Sequence, residues 1–310
     1  MARKDSVSKK RAALTKEDWQ IYSFLIPAAI LVILFSYIPM YGLVMAFQNY
    51  RAGNNIFDLA NAKWVGLKYF KQYIGSVYFG RTFSNTLRLS VLNLVFGFTM
   101  PIFFALLLNE VRAMRVKKTV QTISYLPHFI STVVVAGMVI SFTDMNGLIN
   151  SLIGVFGIAP QEWLVKAENF PMIYTLTNVW KGFGFSSILY FSTLSSIDPQ
   201  MYEAARIDGA NRWQQMIYIT LPSLAFIIAV QLVMQTGRML QSNNDLILLL
   251  YRSSNATMSD TIGTYVYRQG IEGGKYSLAT AVGLFSSLIS LVLTIITNKI
   301  SNKVSGYGLW

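Results

Sequence analysis

Glu203-Ala204-Ala205-Arg206-Ile207-Asp208-Gly209 is a short charged stretch between two long apolar runs, and Pro222 follows its glycine by thirteen residues. Written as a pattern it is E-A-A-x3-G-x9-I-x-L-P, ending Ile219-Thr220-Leu221-Pro222. Local chemistry predicts its shape. Asp198 caps a helix start, and Pro199 suits the first helical position. The segment from Gln200 to Asp208 makes roughly two turns. Gly209 supplies the left-handed residue that ends many helices. A second helix begins near Asn211 and enters the next apolar run. Ala204 and Ala205 lack bulk, which lets another protein approach the backbone. Met201, Ala204 and Ile207 or Asp208 share one helical face. Glu203 and Asp208 offer carboxylates to a basic partner. The plainer alternative is an amphipathic connector, with Glu203 paired to Arg206 three residues on for a few tenths of a kcal/mol.

The flanking runs decide the fold class. The chain has 310 residues, 53% hydrophobic and 13% charged. Six stretches approach or exceed the roughly 20 apolar residues needed to cross a bilayer as a helix. They are 21–47, 89–108, 120–142, 171–197, 217–240 and 276–298. Only Lys181 and Arg238 carry formal charge inside these limits, and all fourteen acidic residues lie outside them. Charge is expensive in hydrocarbon, so the segregation fits lipid as solvent. The expected architecture is an all-α integral membrane protein with six transmembrane helices. One six-helix membrane unit spans 21–298, with the loop at 198–222, a basic tail at 1–20 and a short tail at 299–310.

Lys and Arg set the orientation. The first 20 residues carry six, and the loop 109–119 carries Arg112, Arg115, Lys117 and Lys118. Both termini and the loop at 198–222 are therefore expected in the cytoplasm. The net charge of +12 fits the inner face of an anionic membrane. No basic face interleaved with aromatics points to nucleic acid. The first apolar run, 27 residues long, exceeds a cleaved signal segment and reads as a retained helix. The chain has no cysteine, which excludes disulfides and thiolate chemistry. The loops 48–81 and 241–275 are the large ones on the opposite side. The second is glycine-bearing and expected to be partly irregular. Pro27, Pro39, Pro101, Pro127 and Pro222 fall in the spans, where each removes a helix hydrogen bond.

The pattern from Glu203 to Pro222 resembles the EAA loop of permease subunits in binding-protein-dependent ABC importers. Asn243-Asn244, Tyr125-Leu126-Pro127 and the six spans extend the resemblance to sugar-type, maltose-permease-like members. The nearest group handles complex or uronate-containing oligosaccharides. The resemblance implies a second homologous permease, two cytoplasmic ATPase subunits, an extracytoplasmic solute-binding protein and a bacterial cell membrane. It implies that Glu203 meets a basic residue of the ATPase and that Gly209 makes the turn. Ala204, Ala205, Arg206, Asp208, Leu221 and Pro222 complete that coupling site. ATP and Mg would sit on the partner, because this chain has no G-x-x-x-x-G-K-[ST] loop and no cofactor of its own is implied. With one histidine and no nucleophilic triad, an enzyme is not expected.

Sugars are held by aromatic faces and convergent polar groups in concave sites. The fourth span offers Asn178, Trp180 and Lys181. The fifth offers Gln235 and Arg238, followed by Asn243 and Asn244. The resemblance favours Trp180, Gln235, Asn243 and Asn244. His128 beside Pro127 is a further candidate. Each has a bland alternative: Lys181 pairing with a partner carboxylate, Arg238 snorkelling, His128 bonding a freed carbonyl, Trp180 facing lipid. Lys181, Arg238 and Arg88, with no acidic counterpart in the spans, suit an acidic sugar. Two other readings remain: a permease for a non-sugar solute, and an ion-coupled secondary transporter. The latter class usually carries an acidic residue in its spans.

Overall fold

A computed structural model describes residues 16–241 and 244–310. Among the described residues every regular element is helical, apart from one isolated antiparallel bridge between Gln48 and Trp64. Helix α1 begins as Lys16–Val32 and continues through tighter and looser turns to Phe47. The others are α2 (Lys68–Ile74), α3 (Val77–Asn109), α4 (Met114–Tyr125), α5 (Thr132–Thr143) and α6 (Leu148–Gly154). Then come α7 (Phe170–Ser195), α8 (Pro199–Ile207), α9 (Arg212–Ser223) and α10 (Ala225–Gly237). The last are α11 (Asn244–Leu250), α12 (Ile262–Tyr267) and α13 (Tyr276–Ser305).

Among the described residues four stretches are long and apolar enough to cross a membrane: Trp19–Phe47, Val77–Asn109, Thr132–Gly154 and Tyr276–Ser305. The pair α9 and α10, bent by 57°, makes a fifth if it is one broken span. Helix α7 has the length of a sixth, since 26 residues rise about 39 Å. Its Thr, Ser, Asn and Lys residues lower its apolarity. Six spans are thus consistent with the helix lengths. The apolar side chains of α1 are almost all exposed, Phe24 and Phe35 among them. In water that surface would be an aggregation site; in lipid it is a normal one.

Helices α3 and α7 form the centre of the bundle. Leu89 packs near Tyr174 at one end, and Ala105 near Tyr190 at the other, so the two run parallel. Helix α13 packs on α10 and on the end of α1. A third cluster, Tyr73, Ile262, Tyr265, Leu278 and Val282, ties α2 and α12 to α13.

The prolines act unequally. Pro27 and Pro101 sit inside continuous helices. Pro39 and Pro222 each follow a π-turn, Ile33–Tyr37 and Met216–Thr220. A π-turn releases carbonyls at the position where proline removes a donor. Pro127 breaks the expected span 120–142. Tyr125 ends α4, a 3₁₀ turn covers Leu126–Phe129, and Ser131 caps α5 by accepting from the Val134 amide at 3.3 Å. The apolar span is Thr132–Gly154 instead, and α4 is a separate amphipathic helix. The loop 241–275 also differs from expectation. It holds α11, α12 and the short helix Ala256–Ser259, and much of it is buried, including Leu246, Ile247, Asn255 and Asp260. The last helix continues past Asn298 to Ser305, and 306–310 fold back on it. Asn298 and Asn302 both donate to the Trp310 carbonyl, and Tyr307 packs edge-on against Phe226.

Candidate functional site

The loop at 198–222 forms the short helix, sharp turn and second helix read from the sequence. The Asp198 carboxylate accepts from the Gln200 amide at 2.9 Å, and Pro199 is the first helical residue. At the other end Ala210 N–H reaches Ala205 O at 2.8 Å, and Gly209 N–H reaches Arg206 O at 3.1 Å. That is the paired bonding of a Schellman cap, and it requires Gly209 at φ +81°. Asn211 and Gln214 then form a reciprocal capping box that starts α9.

Helix α8 presents nearly all its side chains to solvent, with Ile207 87% exposed. Glu203, Ala204, Arg206 and Asp208 are exposed, Ala205 is half-buried, and Leu221 and Pro222 are exposed. The Glu203–Arg206 ion pair does not form. Arg206 Nε instead donates to the Tyr202 carbonyl at 3.2 Å, which leaves the Glu203 carboxylate free among the described residues. Tyr202 ties α8 to the bundle: its OH lies 2.9 Å from Thr220 Oγ1, inside the π-turn that precedes Pro222. Gly209→Ala puts a Cβ into open space but at a left-handed φ. The expected loss is about 1 kcal/mol from backbone strain alone, measured as the variant's shift in thermal unfolding. An unchanged midpoint would mean that the turn relaxes.

The polar residues of the fourth and fifth apolar runs converge. Asn178, Lys181, Gln235 and His128 line a cavity of about 280 Å³ between α3, α7 and α10. Asn178, Gln235 and Arg238 line an adjoining one of about 130 Å³. Asn93 lines both, and no acidic side chain lines either. Asn178 Nδ2 donates to Asn93 Oδ1 at 2.8 Å, and Asn93 Nδ2 donates to the Leu89 carbonyl at 2.9 Å. This chain of amides fixes its members' orientation across α3 and α7. Lys181 Nζ donates to Thr132 Oγ1 at 2.8 Å and meets no carboxylate among the described residues. The Arg238 guanidinium likewise has no ion-pair partner there. His128 stacks flat on Phe185, with ring centroids 4.0 Å apart.

Other candidates fall elsewhere. Trp180 is 41% exposed and lines neither cavity. Asn243 lies outside the described residues. Asn244 is half-buried against Gly263, where any side chain at 263 would collide with its amide. Asn93, Ser90 and Gln241 line the cavities and were not singled out from the sequence. Asn93 had a signal, a lone amide in Val91-Leu92-Asn93-Leu94-Val95.

The family model described as binding-protein-dependent transport system inner membrane component matches residues 97–306. The chain belongs to this permease family. The permease is 38% identical over 305 residues to the polygalacturonan/rhamnogalacturonan transport system permease protein YteP of Bacillus subtilis, covering 97% of this chain and 94% of that one. It also resembles a chain of a bacterial alginate ABC transporter solved in complex with an alginate pentasaccharide-bound periplasmic protein. There the identity is 41% and the TM-score 0.86, with 95% of this chain and 98% of that chain covered. A second structure, of a transporter involved in the import of the acidic polysaccharide alginate, gives 41% identity and a TM-score of 0.85, covering 93% and 97%. The permease is therefore a multi-pass membrane protein.

Proposed function

We propose that the permease forms part of the transmembrane path of an ATP-driven importer for acidic oligosaccharides. The observation that carries this reading is the pair of cavities at α3, α7 and α10. Amides and the two cations Lys181 and Arg238 line them, and acidic side chains are absent. Amides hydrogen-bond sugar hydroxyls in either direction, and the ammonium and guanidinium attract carboxylates. The relatives transporting polygalacturonan, rhamnogalacturonan and alginate support the same class. The assembly is a second homologous permease, two ATPase subunits that hold ATP and Mg, and an extracytoplasmic binding protein. The cytoplasm takes both termini and α8, in line with the Lys and Arg distribution.

In this reading α8 seats in the ATPase. Its free Glu203 carboxylate faces a basic residue there, and its small alanines admit a close contact. Closure of the ATPases moves α8, and the Tyr202–Thr220 bond carries that motion into the broken α9–α10 span. The spans rock about the cavities, which open first to the binding protein and then to the cytoplasm.

The test is ATP hydrolysis by the purified complex in proteoliposomes, with binding protein and a panel of neutral and uronate oligosaccharides. Stimulation by loaded binding protein with uronates is expected. Indifference to every saccharide would sink the reading. Within that assay Lys181→Met removes a charged hydrogen-bond donor. The half-saturating concentration for a uronate should rise by about tenfold or more, with little change for a neutral sugar. Equal effects on both would remove charge from the account. Glu203→Ala is expected to leave the fold intact and uncouple hydrolysis from uptake; retained uptake would refute docking through that residue.

A further inference from the structure

The two polar cavities of the bundle share a wall, and their order along the bundle axis follows from three helices. Helices α3 and α7 run parallel, and Asn93 bonds to Asn178. Lys181, three residues further on, therefore stands level with Phe96. Helix α10 runs the other way. Ser90 Oγ donates to the Met239 carbonyl just past its end, and Leu224, just before its start, clusters with Ala105 and Leu108. Between these points an added Cβ at Gly97 would lie 4.0 Å from the Gln235 amide nitrogen. Arg238, one residue before Met239, therefore stands level with Val91. Five residues of α3 separate the two levels, about 8 Å along the axis.

The cations are divided between the cavities. Lys181 lines the one of about 280 Å³, where its Nζ is held by Thr132 Oγ1 at 2.8 Å. Arg238 lines the one of about 130 Å³. Neither cavity is lined by both. Asn93, Asn178 and Gln235 line both cavities and form the wall between the two levels. The opposed helix directions produce this order. One turn past Asn178 on α7 leads one way to Lys181, and one turn past Gln235 on α10 leads the opposite way to Arg238. No acidic side chain lines either cavity, so two like charges face them without a carboxylate to offset either.

A single carboxylate meets one of these cations, because each cavity holds one and the levels lie further apart than a carboxylate is wide. Each cavity is also smaller than the roughly 300 Å³ at the low end of small-molecule sites, so an oligosaccharide that fills one continues into the other. We propose that the two cavities together read two carboxylates on one saccharide chain, one at Lys181 and one at Arg238, with the three shared amides on the hydroxyls between them. The preferred cargo is then a run of uronates, and a chain with one uronate among neutral sugars is a poor one. This rests on the acidic-oligosaccharide reading above and narrows it.

The test is equilibrium dialysis of labelled trisaccharides against the complete complex in phospholipid nanodiscs, without binding protein, so that the latter's own preference does not enter. The probes are trigalacturonate, its derivative with one free carboxylate and two methyl esters, and the neutral trimethyl ester. The unaltered complex should bind trigalacturonate about tenfold more tightly than the singly charged probe. Lys181→Met and Arg238→Met should each weaken trigalacturonate about tenfold, and the double variant about a hundredfold. For the singly charged probe either substitution alone should cost no more than about twofold, because the remaining cation takes the carboxylate, and the double variant should cost about tenfold. The neutral ester should bind every variant alike, as intact cavities require. Single variants that weaken the singly charged probe as much as trigalacturonate would overturn the proposal, since both cations would then share one carboxylate. An Arg238→Met complex that binds trigalacturonate unchanged would overturn it too. Both results leave the acidic reading standing. Equal binding of all three probes by the unaltered complex, or binding of none, sinks that reading as well.

Discussion

Asp260→Asn is expected to destabilise the permease by about 3–5 kcal/mol, the largest loss of any single polar substitution described. Asp260 is fully buried. One carboxylate oxygen meets Arg81 at 2.7 Å and the other meets Arg268 at 2.5 Å. Thr264 Oγ1 donates to it at 2.9 Å, and Asn85 Nδ2 donates to its backbone carbonyl at 3.0 Å. The guanidiniums lie over tyrosine rings, Arg268 on Tyr251 and Arg81 on Tyr78. The pair therefore joins α3 to α12 across 179 residues of chain. Removing the carboxylate leaves two part-buried cations facing each other, and most of the expected loss is that unpaired charge. Thermal unfolding of the assembled complex measures it. Combining Asp260→Asn with Arg268→Gln should recover part of the loss, because one stranded charge is removed. A drop below about 1 kcal/mol, or no recovery in the double variant, would mean that solvent reaches the cluster and screens it.

Gly184→Ala is the second large effect, and it is steric. Helix α7 crosses α4 so closely there that an added Cβ would lie 2.0 Å from the Ser124 carbonyl oxygen and 2.5 Å from its carbon. Backbone cannot swing aside as a side chain does. The helices must separate, at about 3 kcal/mol or more. The separation would also shift the turn Leu126–Phe129 and unstack His128 from Phe185, so cavity binding should weaken together with stability. Gly137→Ala in α5 is the control. Nothing lies within 4 Å of its added Cβ. It should be neutral, or more stable by up to about 1 kcal/mol through helix propensity. Similar losses in both variants would show that helix crossing is not what Gly184 protects.

Much of the 198–222 loop was legible because its structure is local. The Asp198 cap, the Gly209 turn and the Asn211 box each close within five residues, and the residue types state the bond. The polar cavity was partly legible because amides and cations are conspicuous in apolar runs; Asn178, Lys181 and Gln235 share one cavity. What the sequence concealed was non-local. The run 120–142 reads as one span by hydropathy, and only the missing Pro127 donor and the Ser131 cap divide it. The segment 241–275 reads as a loop because α11 and α12 have seven and six residues, too few to show a helical period. Their burial comes from partners far away in the chain: Leu246 and Ile247 cluster with Leu89 and Ala136, and the Ile262 amide donates to Thr86 Oγ1. Trp180, an aromatic in a polar neighbourhood, stands on the exposed side of α7 because the helix phase puts it there, which its residue type alone does not reveal.

Helix phase gives the turn Met216–Thr220 a further meaning. A π-turn is an α-helix carrying one surplus residue, and each residue advances the helix by about 100°. The surplus thus sets how the Gln235 face of α10 is rotated relative to the first turn of α9, Arg212–Gln215, and to α8 before it. Deleting any one residue between Met216 and Thr220 would restore a regular helix and keep the hydropathy of the segment. It would also dial the cavity wall about a quarter-turn away from Asn93 and Asn178. In this protein the register between α8 and the cavity wall is a counted quantity, and a length change of one is a change of address.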